Sequence, residues 1–212
     1  MRLYGYEKDD RAAFSEALKD YVSRAGIRMP ASLREGKPPE TFRGGHGKPF
    51  FAEPELRGVS FSRSHTKGYE VVCFSDSGIG VDCEDIRRWD GDPGRPEKIA
   101  KRYFTGDERD YIAFGGASSA ERFFEVWTAK EAYMKYTGRG FSEGFRSFSV
   151  FGLKGAGVVT GRLADVPHII CSVCSGGTDG QVGFASRICG TATVVKRREL
   201  PAFACWSPKL EV

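Results

Sequence analysis

The sequence predicts an α+β fold of two layers, small antiparallel sheets packed with helices. Three observations carry this expectation. Residues 10–25 and 121–137 repeat apolar side chains at helical spacing. Short runs of β-forming residues recur between glycine turns, most densely after residue 147. The chain has 212 residues, 40% of them apolar and 28% charged, which is enough to bury a core in one domain or two small ones.

Taken in order, residues 10–25 form an amphipathic helix through Phe14, Ala17, Leu18, Tyr21 and Val22, ended by Gly26. Residues 30–49 are rich in Pro and Gly and are expected to be a loop. Residues 59–64 and 69–74 are strands joined by a turn at Thr66-Lys67-Gly68, and residues 79–84 make the next strand. Pro96 opens a helix to Tyr103, and Thr105 with Glu108 caps a second helix running to Phe114. Residues 115–120 are a break before the long helix 121–137, which Gly138 stops. Beyond it, residues 148–151, 157–161, 168–174, 181–187 and 191–195 are expected to be antiparallel strands, followed by a basic and then aromatic tail. A weak echo links residues 69–78 with 168–176.

Composition narrows the function. No apolar run approaches the length of a membrane span, so no membrane role is expected. Residues 1–11 are charged and lack a signal-peptide core, which points to the cytoplasm. Six cysteines lie mostly in apolar, strand-like runs and are expected to be buried thiols. Cys171 and Cys174 form a single CxxC without a second ligand pair, and positions three apart on a strand face opposite ways. The net charge of +4 suits an anionic ligand or an acidic partner and does not argue for nucleic acid.

The chemistry concentrates in two segments. In Gly80-Val81-Asp82-Cys83-Glu84, a strand, Asp82 and Glu84 share a face while Cys83 points away. In the helix from Trp127 to Lys135, residues Trp127, Glu131 and Lys135 share a stripe. Three carboxylates and an ammonium on two rigid elements suit a Mg²⁺ and phosphate site, because clustered carboxylates repel one another without a cation. The residues do not choose Mg²⁺ over Mn²⁺.

These two segments, with Gly47-Lys48-Pro49, Phe61-Ser62-Arg63-Ser64-His65-Thr66 and Ile99-Ala100-Lys101-Arg102-Tyr103-Phe104, resemble the 4'-phosphopantetheinyl transferases over residues 41–151. The order and spacing are most similar to the larger, monomeric, surfactin-synthetase-activating type. The resemblance implies two halves related by a pseudo-twofold axis, each a small, mostly antiparallel sheet packed with helices. Residues 1–76 would form the nucleotide-side half, 77–195 the half with the metal site and catalytic helix, and 196–212 a tail. The first half would be short for the type.

The implied activity moves the phosphopantetheine arm of coenzyme A to a serine of an apo acyl or peptidyl carrier protein and releases 3',5'-ADP. Asp82, Glu84 and Glu131 would hold Mg²⁺. Glu131, Lys135 and His65 would serve catalysis, and Arg43, Gly47, Lys48, Pro49, Ser64, His65 and Lys135 would bind coenzyme A. The carrier would dock near Arg102, Tyr103, Phe104 and Tyr111. Two rivals remain on the residues alone: a Mg²⁺-dependent phosphohydrolase of coenzyme A-like pyrophosphates, and a module that binds coenzyme A or a carrier without turnover.

Overall fold

The structure is a computed structural model, and it describes residues 1–10, 12–45, 47–89, 94–115, 119–139, 144–163, 166–176, 186–188 and 191–193. His46, Cys189, Cys205, most of the expected strand 181–187 and the tail 196–212 lie outside the described residues. In chain order the elements are β1 (Arg2–Glu7), α1 (Ala13–Arg24), α2 (Ala31–Arg34), β2 (Thr41–Arg43), β3 (Pro49–Phe51), β4 (Ser60–Thr66), β5 (Tyr69–Ser75), β6 (Ile79–Asp85), α3 (Arg95–Tyr103), α4 (Gly106–Ala113), α5 (Ser119–Thr137), β7 (Ala156–Arg162), β8 (Ile169–Gly176), β9 (Ser186–Ile188) and β10 (Thr191–Thr193). The α+β class follows directly.

Two three-stranded antiparallel sheets carry the architecture, in the orders β1-β5-β4 and β6-β8-β7. The order is the same in each: first strand at one edge, last strand in the middle, penultimate strand at the other edge. The weak sequence echo falls on the two central strands, β5 and β8. Both are rich in β-branched and aromatic or thiol residues and are buried on both faces.

Period-two alternation sorts the side chains into layers. Leu3, Tyr69, Val71, Cys73, Ile79, Val81, Cys83, Ile169, Cys171 and Val173 form one core shared by the two sheets. The intervening residues face outward to helices. Tyr4, Tyr6, Val72 and Phe74 pack with Ala17, Leu18, Tyr21 and Val22 of α1. Ile170 and Val158 pack under α3, α4 and α5 with Phe104, Phe123, Phe124 and Val126. Cys171 and Cys174 are both buried and free, and Cys171 alone of the pair belongs to the shared core. Burial pushes the Cys174 thiol up to about 12, so it stays protonated.

One strand was not anticipated, and two expectations need correction. Residues 2–7 are a strand, although Gly5 and charged ends weaken its signal; its partner β5 lies far along the chain. The stretch 30–49 holds the short helix α2 and most of a β2–β3 hairpin in addition to loop. Residues 148–151 are a turn after a 3-10 segment, Phe145–Ser147. The carbonyls of Phe145 and Phe148 there accept hydrogen bonds from the Lys130 ammonium, each at 2.6 Å, in place of ladder bonds.

Candidate functional site

The site forms where α5 lies on β6. Gly80 permits that contact. A Cβ built there would sit 2.0 Å from the Ala132 carbonyl oxygen and 2.4 Å from the Tyr136 backbone nitrogen. Only a residue without a side chain allows the helix so close. Asp82 and Glu84, on the same face as Gly80, are thereby brought beneath Glu131 and Lys135, one helical turn apart.

A stripe of hydroxyls on β4 fixes β6 from the other side. Ser62 Oγ accepts the Val81 N–H at 3.0 Å, and Thr66 Oγ1 accepts the Asp85 N–H at 3.2 Å. Between them Ser64 Oγ donates to Asp82 Oδ1 at 2.7 Å. Lys135 Nζ donates to the same oxygen at 2.8 Å. Asp82 is 6% exposed, and its Oδ2 is buried with no hydrogen-bond partner among the described residues. A buried anionic oxygen left in this way is a site that asks for a cation.

The neighbouring groups carry the same strain. Glu131 is pushed up to about 7, chiefly by burial and then by the Asp82 charge, with Glu84 adding to it and Lys135 opposing. Burial and Asp82 also raise Glu84. Burial works against the Lys135 ammonium, but Asp82 outweighs it and holds Lys135 above the ordinary lysine value. Among the described residues, no three His, Cys, Asp or Glu side chains are gathered into a group that could hold a metal ion as they stand. The chain's own cations stand in: Lys135 on Asp82, and Arg88 on Glu84 at 2.9 and 3.1 Å. The orphaned Asp82 oxygen and the hard carboxylate donors fit a divalent ion such as Mg²⁺.

A cleft of about 600 Å³ opens beside these groups, lined by residues that include Arg43, Gly47, Lys48, Pro49, Arg63, His65, Glu131 and Lys135. It therefore gathers most of the residues expected to bind an anionic nucleotide. His65 is exposed, facing out from β4 with Arg63. Arg43 donates to the Gly47 carbonyl at 3.1 Å, bracing the β2–β3 hairpin. Lys48 reaches across to the Tyr136 carbonyl at 2.9 Å near the C-terminal end of α5, and burial lowers its pKa. Ser64 does not line the cleft. Alternation along β4 turns it inward to Asp82, so the Ser64-His65 pair divides, with Ser64 as a positioning group and His65 at the cleft wall.

Sequence reasoning left Lys130 as structural and placed Glu108 in a helix cap, but missed the contacts that join them. Lys130 is fully buried, pairs with the fully buried Glu108 at 2.9 Å, and ties α5 to α4. Glu108 also accepts the N–H groups of Thr105 and Val150, each at 2.9 Å. In the cleft wall, Glu70 accepts from Tyr6 at 2.9 Å and from Arg63 at 2.6 Å. The hydroxyl stripe at positions 62, 64 and 66 is the signal that was available for the seam.

Of the residues expected to meet a carrier, Arg102 is exposed and stacks over Tyr103, which is half-buried. Tyr111 is half-buried and donates to Glu125 at 2.6 Å. Phe104 is 0% exposed, stacked against Phe123 in the helical core, so it cannot present its ring to a partner. Phe114, by contrast, is 73% exposed.

Residues 78–174, which hold β6 and α5, match the model of the 4'-phosphopantetheinyl transferase superfamily. A 4'-phosphopantetheinyl transferase of Bacillus subtilis is 35% identical over 165 residues, covering 76% of this chain and 66% of that protein. The 4'-phosphopantetheinyl transferase psf-1 of Bacillus pumilus is 34% identical over 122 residues, 57% of this chain and 48% of the relative. The 4'-phosphopantetheinyl transferase Sfp of Bacillus subtilis (strain 168) is 33% identical over 106 residues, 50% and 44% of the respective chains. The chain thus spans about half the length of the curated relatives it matches. Motif, repeated sheet topology and relatives converge: the chain belongs to the 4'-phosphopantetheinyl transferase superfamily.

Proposed function

We propose that this protein transfers the 4'-phosphopantetheine arm of coenzyme A to a serine hydroxyl of an apo acyl or peptidyl carrier protein. The observation that carries this reading is the meeting of Asp82 and Glu84 with Glu131 and Lys135, the last two at the wall of a basic cleft. Residues 1–76 then serve as the nucleotide side and 77–195 as the metal and catalytic side. The reduced, buried thiols suit a cytoplasmic setting.

In this reading Asp82, Glu84 and Glu131 hold Mg²⁺, with Mn²⁺ as a substitute. The ion, when bound, neutralises pyrophosphate oxygens and stabilises the departing charge. Arg43, Lys48 and His65 line the path of the nucleotide phosphates, and the Gly47-Lys48-Pro49 turn sets the backbone against its base. Lys135, freed from Asp82, is a point charge for the phosphate. The serine oxygen attacks the pantetheine-side phosphorus, and the bond from that phosphorus to the bridging oxygen breaks. That oxygen leaves with 3',5'-ADP. The Glu131 carboxylate takes the serine proton, directly or through a water. Arg102 and the exposed edge of Tyr103 meet the acidic carrier from outside the cleft, while Phe104 supports them from the core.

Intact-mass spectrometry of apo carrier proteins from fatty-acid, polyketide and peptide synthesis tests the proposal. With protein, coenzyme A and Mg²⁺ present, at least one carrier should gain a single phosphopantetheine. Release of 3',5'-ADP from coenzyme A alone, with no carrier modified, would overturn transfer in favour of hydrolysis.

A further inference from the structure

We propose that Arg88 is a latch on Glu84, which a divalent cation must displace to complete its ligand set. This rests on the reading of Asp82, Glu84 and Glu131 as metal ligands. One guanidinium nitrogen of Arg88, Nη1, lies 2.9 Å from Oε1 and 3.1 Å from Oε2 of Glu84, so both oxygens of that carboxylate are engaged at once. Asp82 is treated differently. Lys135 and Ser64 both approach Oδ1, and Oδ2 stays buried and open. An entering ion therefore finds one acceptor ready on Asp82 and none free of the guanidinium on Glu84.

The burial of the partners shows which one moves. The Glu84 side chain is 15% exposed and belongs to a strand paired with β8, whereas the Arg88 side chain is 59% exposed. Arg88 stands in the short 3-10 turn Ile86–Trp89, just past the end of β6, and is not anchored in the sheet. An ion pair with so exposed a partner is weak and readily exchanged for a metal contact. There is also somewhere for the guanidinium to go. A second cleft of about 860 Å³, which shares His65 with the first, is lined by Thr66, Lys67, Gly68, Glu84, Asp85, Arg87 and Arg88 itself. Glu84 is common to the site and this cleft, so the latch swings about the carboxylate that the ion takes.

The test is a titration of Mn²⁺ into the full chain, followed by the electron paramagnetic resonance signal of the free ion, at physiological ionic strength with saturating coenzyme A. Arg88→Ala should bind Mn²⁺ about two- to five-fold more tightly than the unaltered protein, the range set by an exposed ion pair. Lys67→Ala, which removes a positive charge from the same second cleft without touching Glu84, should leave the affinity unchanged. Unchanged or weaker binding by Arg88→Ala overturns the latch, as does equal tightening by Lys67→Ala, which would reveal a general charge effect. If the unaltered protein takes up no Mn²⁺, the metal reading itself fails and the latch with it.

Discussion

The two sheets share a strand order, yet their helices meet them in different ways. Helix α1 rides on the first sheet over an aromatic cushion: Tyr21 packs 5.5 Å from Phe74, Tyr4 5.8 Å from Phe74, and Phe14 5.7 Å from both Phe61 and Phe74. Helix α5 rests with its backbone almost against Gly80 of the second sheet. Large rings can re-tilt to absorb small displacements, whereas a helix seated on a glycine has no compressible layer beneath it. The half that carries the carboxylates is the half built without slack. That fits the demand that reacting groups be held within fractions of an ångström.

The largest effect that probes this contrast is chemical. Glu131→Gln keeps the shape of α5 and removes its carboxylate charge, and transfer to a carrier should fall by about 10²–10³, the cost of removing one electrostatic contributor to a transition state. Circular dichroism should show an intact fold. Full activity would place the working carboxylates somewhere other than the β6–α5 seat.

Next comes the seat itself, tested by urea denaturation. Gly80→Ala drives a methyl into the Ala132 and Tyr136 backbone and should cost about 3 kcal/mol, the upper range for overpacking. Gly5→Ala on β1 is the contrasting change, on the face that packs into the core shared by the two sheets. Its methyl would meet the Tyr69 hydroxyl at 2.3 Å, but a ring can shift, so the cost should be nearer about 1 kcal/mol. Equal costs would mean that the backbone seat at Gly80 yields as readily as a side chain does.

The smallest effect concerns acid. Each half holds one helical aspartate below its ordinary pKa. For Asp20 of α1, burial acts the other way but the hydrogen bonds from Arg24 and Tyr4 prevail. For Asp107 of α4, burial is likewise outweighed, by Ser149 and Thr105. A depressed carboxylate stabilises the fold above its unfolded value, and the contribution is lost as pH falls through the folded one. Asp20→Asn and Asp107→Asn should each flatten the loss of stability below about pH 4, the unfolded aspartate range. An unaltered acid limb in either variant would mean that its half is not anchored this way.

What was legible in the sequence follows the range of the interactions. The faces of Asp82, Glu84, Glu131 and Lys135 follow from local periodicity, and the structure bears those orientations out. The capping of α4 by Thr105 and Glu108 is equally local. The inward turn of Ser64 was hidden, because it depends on β4 lying beside β6, a tertiary fact. Lys130 was harder still. It is a charged residue on a helix, and only Glu108 on another helix and two carbonyls beyond α5 make its full burial tolerable. The strand expected at 148–151 failed for the same reason, since its carbonyl at Phe148 is committed to that lysine.

The hydroxyls of Ser62, Ser64 and Thr66 act like the teeth of a zip between two sheets that share no backbone ladder there. Their interval of two residues admits one alignment. A slip by a single position would turn Arg63 and His65 into the closed joint and expel the hydroxyls. The joint therefore behaves as welded. The β2–β3 hairpin has no such zip: Lys48 reaches from it to the Tyr136 carbonyl at the end of α5 by a single hydrogen bond.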